Sequence, residues 1–106
     1  MTLTPHDITQ LLDDNKAENI VVLDVQHLTP LTDHVIICHG TNSRHNQALA
    51  QKCHALGKST QPKRPNIQGE NSEDWVLIDF GHIVLHILST ESREFYQLEK
   101  LWDHPA

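Results

Sequence analysis

Any chemistry in this chain would fall to its nine histidines, two cysteines and fourteen acids. A Cys-His hydrolase needs an activated thiolate, held at a helix N-terminus or beside a cation. Cys38 instead ends the apolar run Val35-Ile36-Ile37, and Cys53 falls on the apolar side of a helical pattern. Both read as buried, reduced structural thiols. Zinc sites announce themselves by short ligand spacings. His82 and His86 share one side of a strand, but four strand residues separate them by ~13 Å, too far to grip one ion. Cys38, His39, His45 and Cys53 would need tertiary convergence. Nucleotidyl transfer needs a glycine-serine turn followed by closely paired carboxylates for Mg²⁺. Here Gly40-Thr41-Asn42-Ser43 leads into Arg44-His45, and the nearest acids, Asp24 and Asp33, are nine residues apart. The turn therefore reads as strand exit and helix cap. We expect no metal, no cofactor and no catalytic residue.

What the chain does offer is a surface. Trp75 to Leu88 reads as a β-hairpin around Phe80-Gly81, with Gly81 supplying the positive φ of a tight turn. A two-residue loop pairs Trp75 with His86, Leu77 with Val84 and Asp79 with His82. Side chains alternate between faces. Val76, Ile78, Ile83, Leu85 and Ile87 form an aliphatic core face. Trp75, Leu77, Asp79, His82, Val84 and His86 form the other. That mixture of aromatic, aliphatic and hydrogen-bonding groups suits a docking surface. A covering helix with polar groups paired at its rim is the alternative, and alternation alone leaves both open. A wider loop would slip the pairing but keep each strand's own alternation.

The elements that must position this hairpin follow from caps and periodicity. Thr4-Pro5-His6-Asp7 is an N-cap, a first-turn proline and an acid three residues on. Ile8, Leu11 and Leu12 continue at helical spacing, and Asn15 stops the helix. Ile20 to Val25 reads as a strand, central because it is apolar on both faces. A linker through Leu28-Thr29-Pro30-Leu31 precedes a second buried strand, His34 to Cys38. A helix spans about Arg44 to Leu56, and Gly57 ends it. Arg44 opposes the helix dipole in the first turn. It needs an ion pair with Asp24 or Asp33, or contact with a partner. A proline-bearing edge strand lies near Pro65-Asn66-Ile67-Gln68. Ser89 or Thr90 caps a last helix with Phe95, Leu98 and Trp102 on one stripe. That stripe reads as core, or with Tyr96 as more docking surface or a dimer seam.

The 106 residues then form one α/β domain, residues 1–106, in the order α-β-β-α-β-β-β-α. We expect a single mixed sheet of about five strands with helices packed on it. No apolar run approaches the ~20 residues of a membrane span. The N-terminus shows no signal-peptide pattern, so a cytoplasmic protein is expected. The formal net charge of −6 argues against tight direct nucleic-acid binding. Lys58, Lys63 and Arg64 form only a short solvated basic loop.

Three segments also resemble a known family. Trp75 to His86 with Glu91-Ser92-Arg93-Glu94-Phe95-Tyr96-Gln97-Leu98-Glu99, the turn Gly40-Thr41-Asn42-Ser43-Arg44-His45, and Asp24-Val25 with Leu31-Thr32-Asp33-His34 resemble the motifs of the ribosomal silencing factor (Iojap-like) family. The resemblance runs from Lys16 to Trp102. Phe80 stands where the family typically has tyrosine, and His82 where it often has an acid. The resemblance implies a nucleotidyltransferase-like sheet and a translation repressor that is not an enzyme. It implies binding to the large ribosomal subunit through its ribosomal protein L-fourteen, steric exclusion of the small subunit under nutrient limitation, and a homodimer. It supports partner binding at Trp75, Leu77, Asp79, Phe80, Val84 and His86, with Arg44 added. The competing readings are an adaptor for another protein and a degenerate nucleotidyltransferase.

Overall fold

The computed structural model describes residues 3–61 and 63–102. Helix α1 (Pro5–Asp14) starts on the expected capping box, with Thr4 and Asp7 satisfying each other's backbone N–H, and ends on Asn15. Strands β1 (Glu18–Asp24) and β2 (His34–His39) follow, then α2 (Ser43–Thr60), β3 (Asn66–Gln68), β4 (Trp75–Asp79) and β5 (Ile83–Leu88). Two short helices follow, α3 (Thr90–Tyr96) and α4 (Glu99–Trp102).

The strands form one five-stranded mixed sheet in the order β1-β2-β5-β4-β3. β2 and β5 pair in parallel at its centre, and the other pairs are antiparallel. Four consecutive β2 residues, Val35 to Cys38, are buried. Ile36 and Cys38 face a core shared with Val76, Ile78, Ile83, Leu85 and Ile87, over which α1 and α2 pack. Val35 and Ile37 face the opposite side. There they join Val25, Leu88 and Leu98 in a second, smaller cluster.

Four expectations are corrected. β1 is an edge strand, not a central one. It is apolar on both faces because Ile20 packs into the α1 side and Leu23 into the cluster around Leu98. Two-faced burial thus reports cover above and below, not neighbours on both sides. Gly57 does not end α2, which runs on to Thr60 and is capped by Gln61. Gly57 is a packing residue: a Cβ there would meet Phe80 at 2.6 Å and Pro65 at 2.7 Å. The expected last helix is broken at Gln97, which takes a left-handed φ of 49°. The stripe is broken with it, for Leu98 is buried while Phe95 is exposed. The Trp102 side chain lies outside the described residues. The hairpin pairs Trp75 with Leu88, Leu77 with His86 and Asp79 with Val84, two residues from the expected register. The turn is Gly81-His82, closed by the Phe80 N–H donating to the Ile83 carbonyl at 2.8 Å. A slip of two preserves both faces, since the side-chain period is two.

One buried polar residue ties the layers together. Asn46 of α2 accepts from the Gly40 N–H at 2.7 Å and donates to the Leu88 carbonyl at 3.1 Å. It thereby joins the helix to the ends of both central strands. Several histidines act as similar ties. The His45 Nδ1 accepts from the Thr41 N–H at 2.9 Å, so its Nε2–H donates to the Asn15 carbonyl at 2.8 Å. His54 bonds the Pro65 carbonyl and His82 the Leu3 carbonyl. Burial pushes both the Cys38 and Cys53 thiols up to about 12, which keeps them protonated and inert.

Asn46→Ala should orphan a buried donor and a buried acceptor and cost about 1–3 kcal/mol, read by urea unfolding. Gly57→Ala should destabilise by ~1–2 kcal/mol despite alanine's better helix propensity, because the ring of Phe80 cannot yield. A more stable Gly57→Ala protein would refute that packing role.

Candidate docking face

The outer face of the β4–β5 hairpin is divided in two. Its upper end is covered: Leu88 is buried beneath Leu98, and Trp75 is half-buried against the same cluster. Its lower end is open. Leu77, Asp79, Val84 and His86, with Val35 of β2, Gln68 of β3, and Thr29, Leu31 and Thr32 of the β1–β2 connection, line a groove of about 340 Å³. Leu31, Val35, Leu77 and Val84 supply apolar walls. Of the two readings left open by alternation, cover therefore holds for the upper half of the face, and the lower half is open.

The groove's rim is built by local hydrogen bonds. Val25 is buried and its N–H donates to the Asp33 carbonyl at 2.9 Å, pinching the β1–β2 connection shut at its base. The Leu31 N–H donates to the Thr29 hydroxyl oxygen at 3.1 Å, which turns the tip of the loop. Leu31 itself is 86% exposed. Asp79 is exposed at the other rim, where it accepts from the Gly81 N–H at 2.8 Å and so sets the hairpin turn.

Where the two halves meet, the Trp75 indole N–H donates to His86 Nδ1 at 3.0 Å. Indole is a donor only, so His86 is neutral with its proton on Nε2. Burial explains that state, holding the imidazole down at about 4. The pair is diagonal rather than directly cross-strand, with ring centroids 5.8 Å apart. Tyr96 packs against Trp75 at a tilt of 47° with ring centroids 5.1 Å apart, and Phe95 meets Tyr96 edge-on at 4.9 Å. An aromatic line thus runs from the groove onto α3.

Five of the seven expected partner-binding residues come together here, four in the groove and Trp75 beside it. Phe80 does not. It is 6% exposed and belongs to the core, because the turn begins one residue later than expected and Phe80 keeps the inward parity of Val76 and Ile78. Arg44 is exposed in the first turn of α2, on the layer opposite the groove. Among the described residues it makes no ion pair with Asp24 or Asp33. His82 also leaves the face, turning its ring to Leu3. Leu31 was missed as a site residue, though an exposed leucine after Thr-Pro in a loop is itself a signal.

The turn considered for phosphate binding is already occupied. The Gly40 and Thr41 N–H groups donate to Asn46 and His45, and Asn42 caps α2 by accepting from the His45 N–H at 2.8 Å. Among the described residues no cluster of three ligating side chains occurs, and no helix is long and apolar enough to cross a membrane.

Fold and face together define a small mixed α/β domain that presents a groove on its sheet. The family model described as ribosomal silencing factor during starvation matches residues 4–106. This chain belongs to that family. It is 38% identical over 95 residues to ribosomal silencing factor RsfS of Haemophilus influenzae, covering 90% of this chain and 93% of that one. It is 35% identical over 98 residues to the mouse protein named mitochondrial assembly of ribosomal large subunit protein 1, covering 90% of this chain and 43% of the mouse one. A crystal structure of a Chromobacterium violaceum protein superposes with a TM-score of 0.85 at 29% identity, covering 98% of this chain and 92% of that chain.

His86 also sets a pH dependence. The unfolded chain takes up its proton near pH 6.5, but the folded one waits until about 4. The unfolded state therefore binds more protons in that window, and stability falls as pH drops through it. His39, lowered by burial and then by the nearby Arg93, acts in the same direction. The His86 contribution should be on the order of 2–3 kcal/mol, seen as a falling urea midpoint between pH 6.5 and 4. His86→Phe, which has no proton to take up, should flatten that limb.

Proposed function

We propose that this chain represses translation by docking its outer sheet face on the large ribosomal subunit, so that the small subunit cannot join. The observation that carries the reading is the open groove of Leu31, Val35, Leu77, Asp79, Val84 and His86, in a chain of this family. The mouse relative's name, which places it in large-subunit assembly, supports the choice of subunit. The docking partner is a protein of that subunit, ribosomal protein L-fourteen, as the motifs imply. A protein partner suits a domain of net charge −6, since phosphate-rich surfaces repel it. The action is occupancy rather than catalysis, and its setting is the cytoplasm under nutrient limitation. The free protein is a homodimer.

Purified protein should co-sediment with isolated large subunits at low salt and slow their joining to small subunits in light scattering. Absence of co-sedimentation would sink the proposal. Leu77→Glu places a charge in the groove without touching the core. It should weaken large-subunit binding by about 2 kcal/mol or more, roughly thirtyfold, while the unfolding midpoint stays near that of the parent.

A further inference from the structure

The charge of this chain is not spread evenly. From Pro65 to Glu99 there are seven acids, Glu70, Glu73, Asp74, Asp79, Glu91, Glu94 and Glu99, and a single base, Arg93. Acids and bases balance in the remainder, so this one segment accounts for the whole net charge of −6. Arg93 is committed to Glu99 and leaves the other six acids of the segment without a base of their own segment. It is 7% exposed, with its guanidinium against His39 Nδ1 at 3.1 Å and Glu99 at 3.5 Å.

The same segment exposes aromatic surface. Phe95 is 80% exposed and Tyr96 52% exposed, although they lie next to each other on α3. Their rings meet edge-on, and Tyr96 is braced by Trp75. Glu91 lies one helical turn before Phe95, and Glu94 one turn after Glu91, so carboxylates and rings share this part of α3. Asp74 adjoins the start of the helix, its carbonyl accepting from the Ser89 N–H at 2.8 Å. Ring faces attract cations, arginine above all, and the surrounding carboxylates raise the local cation concentration. The same carboxylates repel a nucleic-acid backbone.

We infer that the Trp75–Tyr96–Phe95 line, with Glu91, Glu94 and Asp74, is a second docking arm that takes an arginine- or lysine-bearing segment of the partner protein beside the groove. This deepens the large-subunit reading and rests on it for where the partner resides. The groove takes apolar side chains, and the arm takes a cation over aromatic rings. His86 is the joint between them, because it lines the groove and holds the Trp75 indole.

The test has two readouts. The first is a nitrogen–proton NMR titration with a ten-residue arginine-glycine peptide. Shifts should concentrate on the Trp75 indole and the α3 amides, and Phe95→Ser should abolish them. Phe95 is the outermost ring and its loss leaves the fold intact, which the unfolding midpoint checks. The second readout is co-sedimentation with isolated large subunits, where Phe95→Ser should bind at least tenfold more weakly and lose much of the salt dependence. Three results would overturn the inference: a peptide response that survives Phe95→Ser, stronger shifts on α3 with oligouridine than with the peptide, or a variant that turns monomeric yet binds subunits as tightly as the parent. If the parent itself fails to sediment with large subunits, the large-subunit reading falls, and the peptide titration still decides the arm.

Discussion

The parallel pairing of β2 with β5 is the constraint on which the rest of this structure depends. The two strands are far apart in sequence and adjacent at the centre of the sheet. Parallel neighbours cannot be joined by a tight turn, so the chain must leave the sheet and return. α2 makes that excursion, and β3 and β4 are laid down before β5 closes it. Because β2 is covered on both faces from Val35 to Cys38, and β5 is covered along its whole inner face, both strands are largely apolar. The polar groups at their ends are then costly to leave unpaired. Asn46 meets that need at one end, and the Asp33 and His34 N–H groups, both donating to the His82 carbonyl, meet it at the other.

The open groove is a by-product of how unequally the two sides of this sheet are covered. Two full helices close the inner side. On the outer side, among the described residues, there are only α3 and α4, of seven and four residues. They are too short to reach beyond Leu88, Ile37 and Trp75, so the lower half of β4 and β5 stays uncovered. Gln97 contributes to that limit by breaking the helical run where one longer helix would have turned Phe95 and Leu98 to the same side. The break buries Leu98 and leaves Phe95 in solvent, which makes an aromatic arm of what would otherwise be core.

His86 links stability to this surface. It is the neutral acceptor that holds Trp75, and Trp75 in turn braces Tyr96. A protonated imidazole could not accept that bond, so the orientation of the aromatic line depends on the same burial that lowers the histidine. Trp75 accordingly spans two roles, partly core under Leu98 and partly the root of the exposed arm.

Sequence by itself determined much of what is local or periodic. The Thr4–Asp7 capping box, the cap chemistry of Gly40 to Ser43, the element order as far as β5, and the two faces of the hairpin all follow from spacings of two to four residues, where physics acts between near neighbours. The family was legible too, since its motifs lie in contiguous segments. Only tertiary structure decided which elements lie beside which. A strand apolar on both faces reads the same at an edge as at a centre, so β1 was misplaced. Gly57 reads as a helix stop until Phe80 and Pro65 are seen against it. Phe80 reads as a turn residue until the turn is found one step later. The groove needed Leu31 from one connection and Gln68 from another strand. No local pattern carries that adjacency, because it is set by how separate apolar faces share one core.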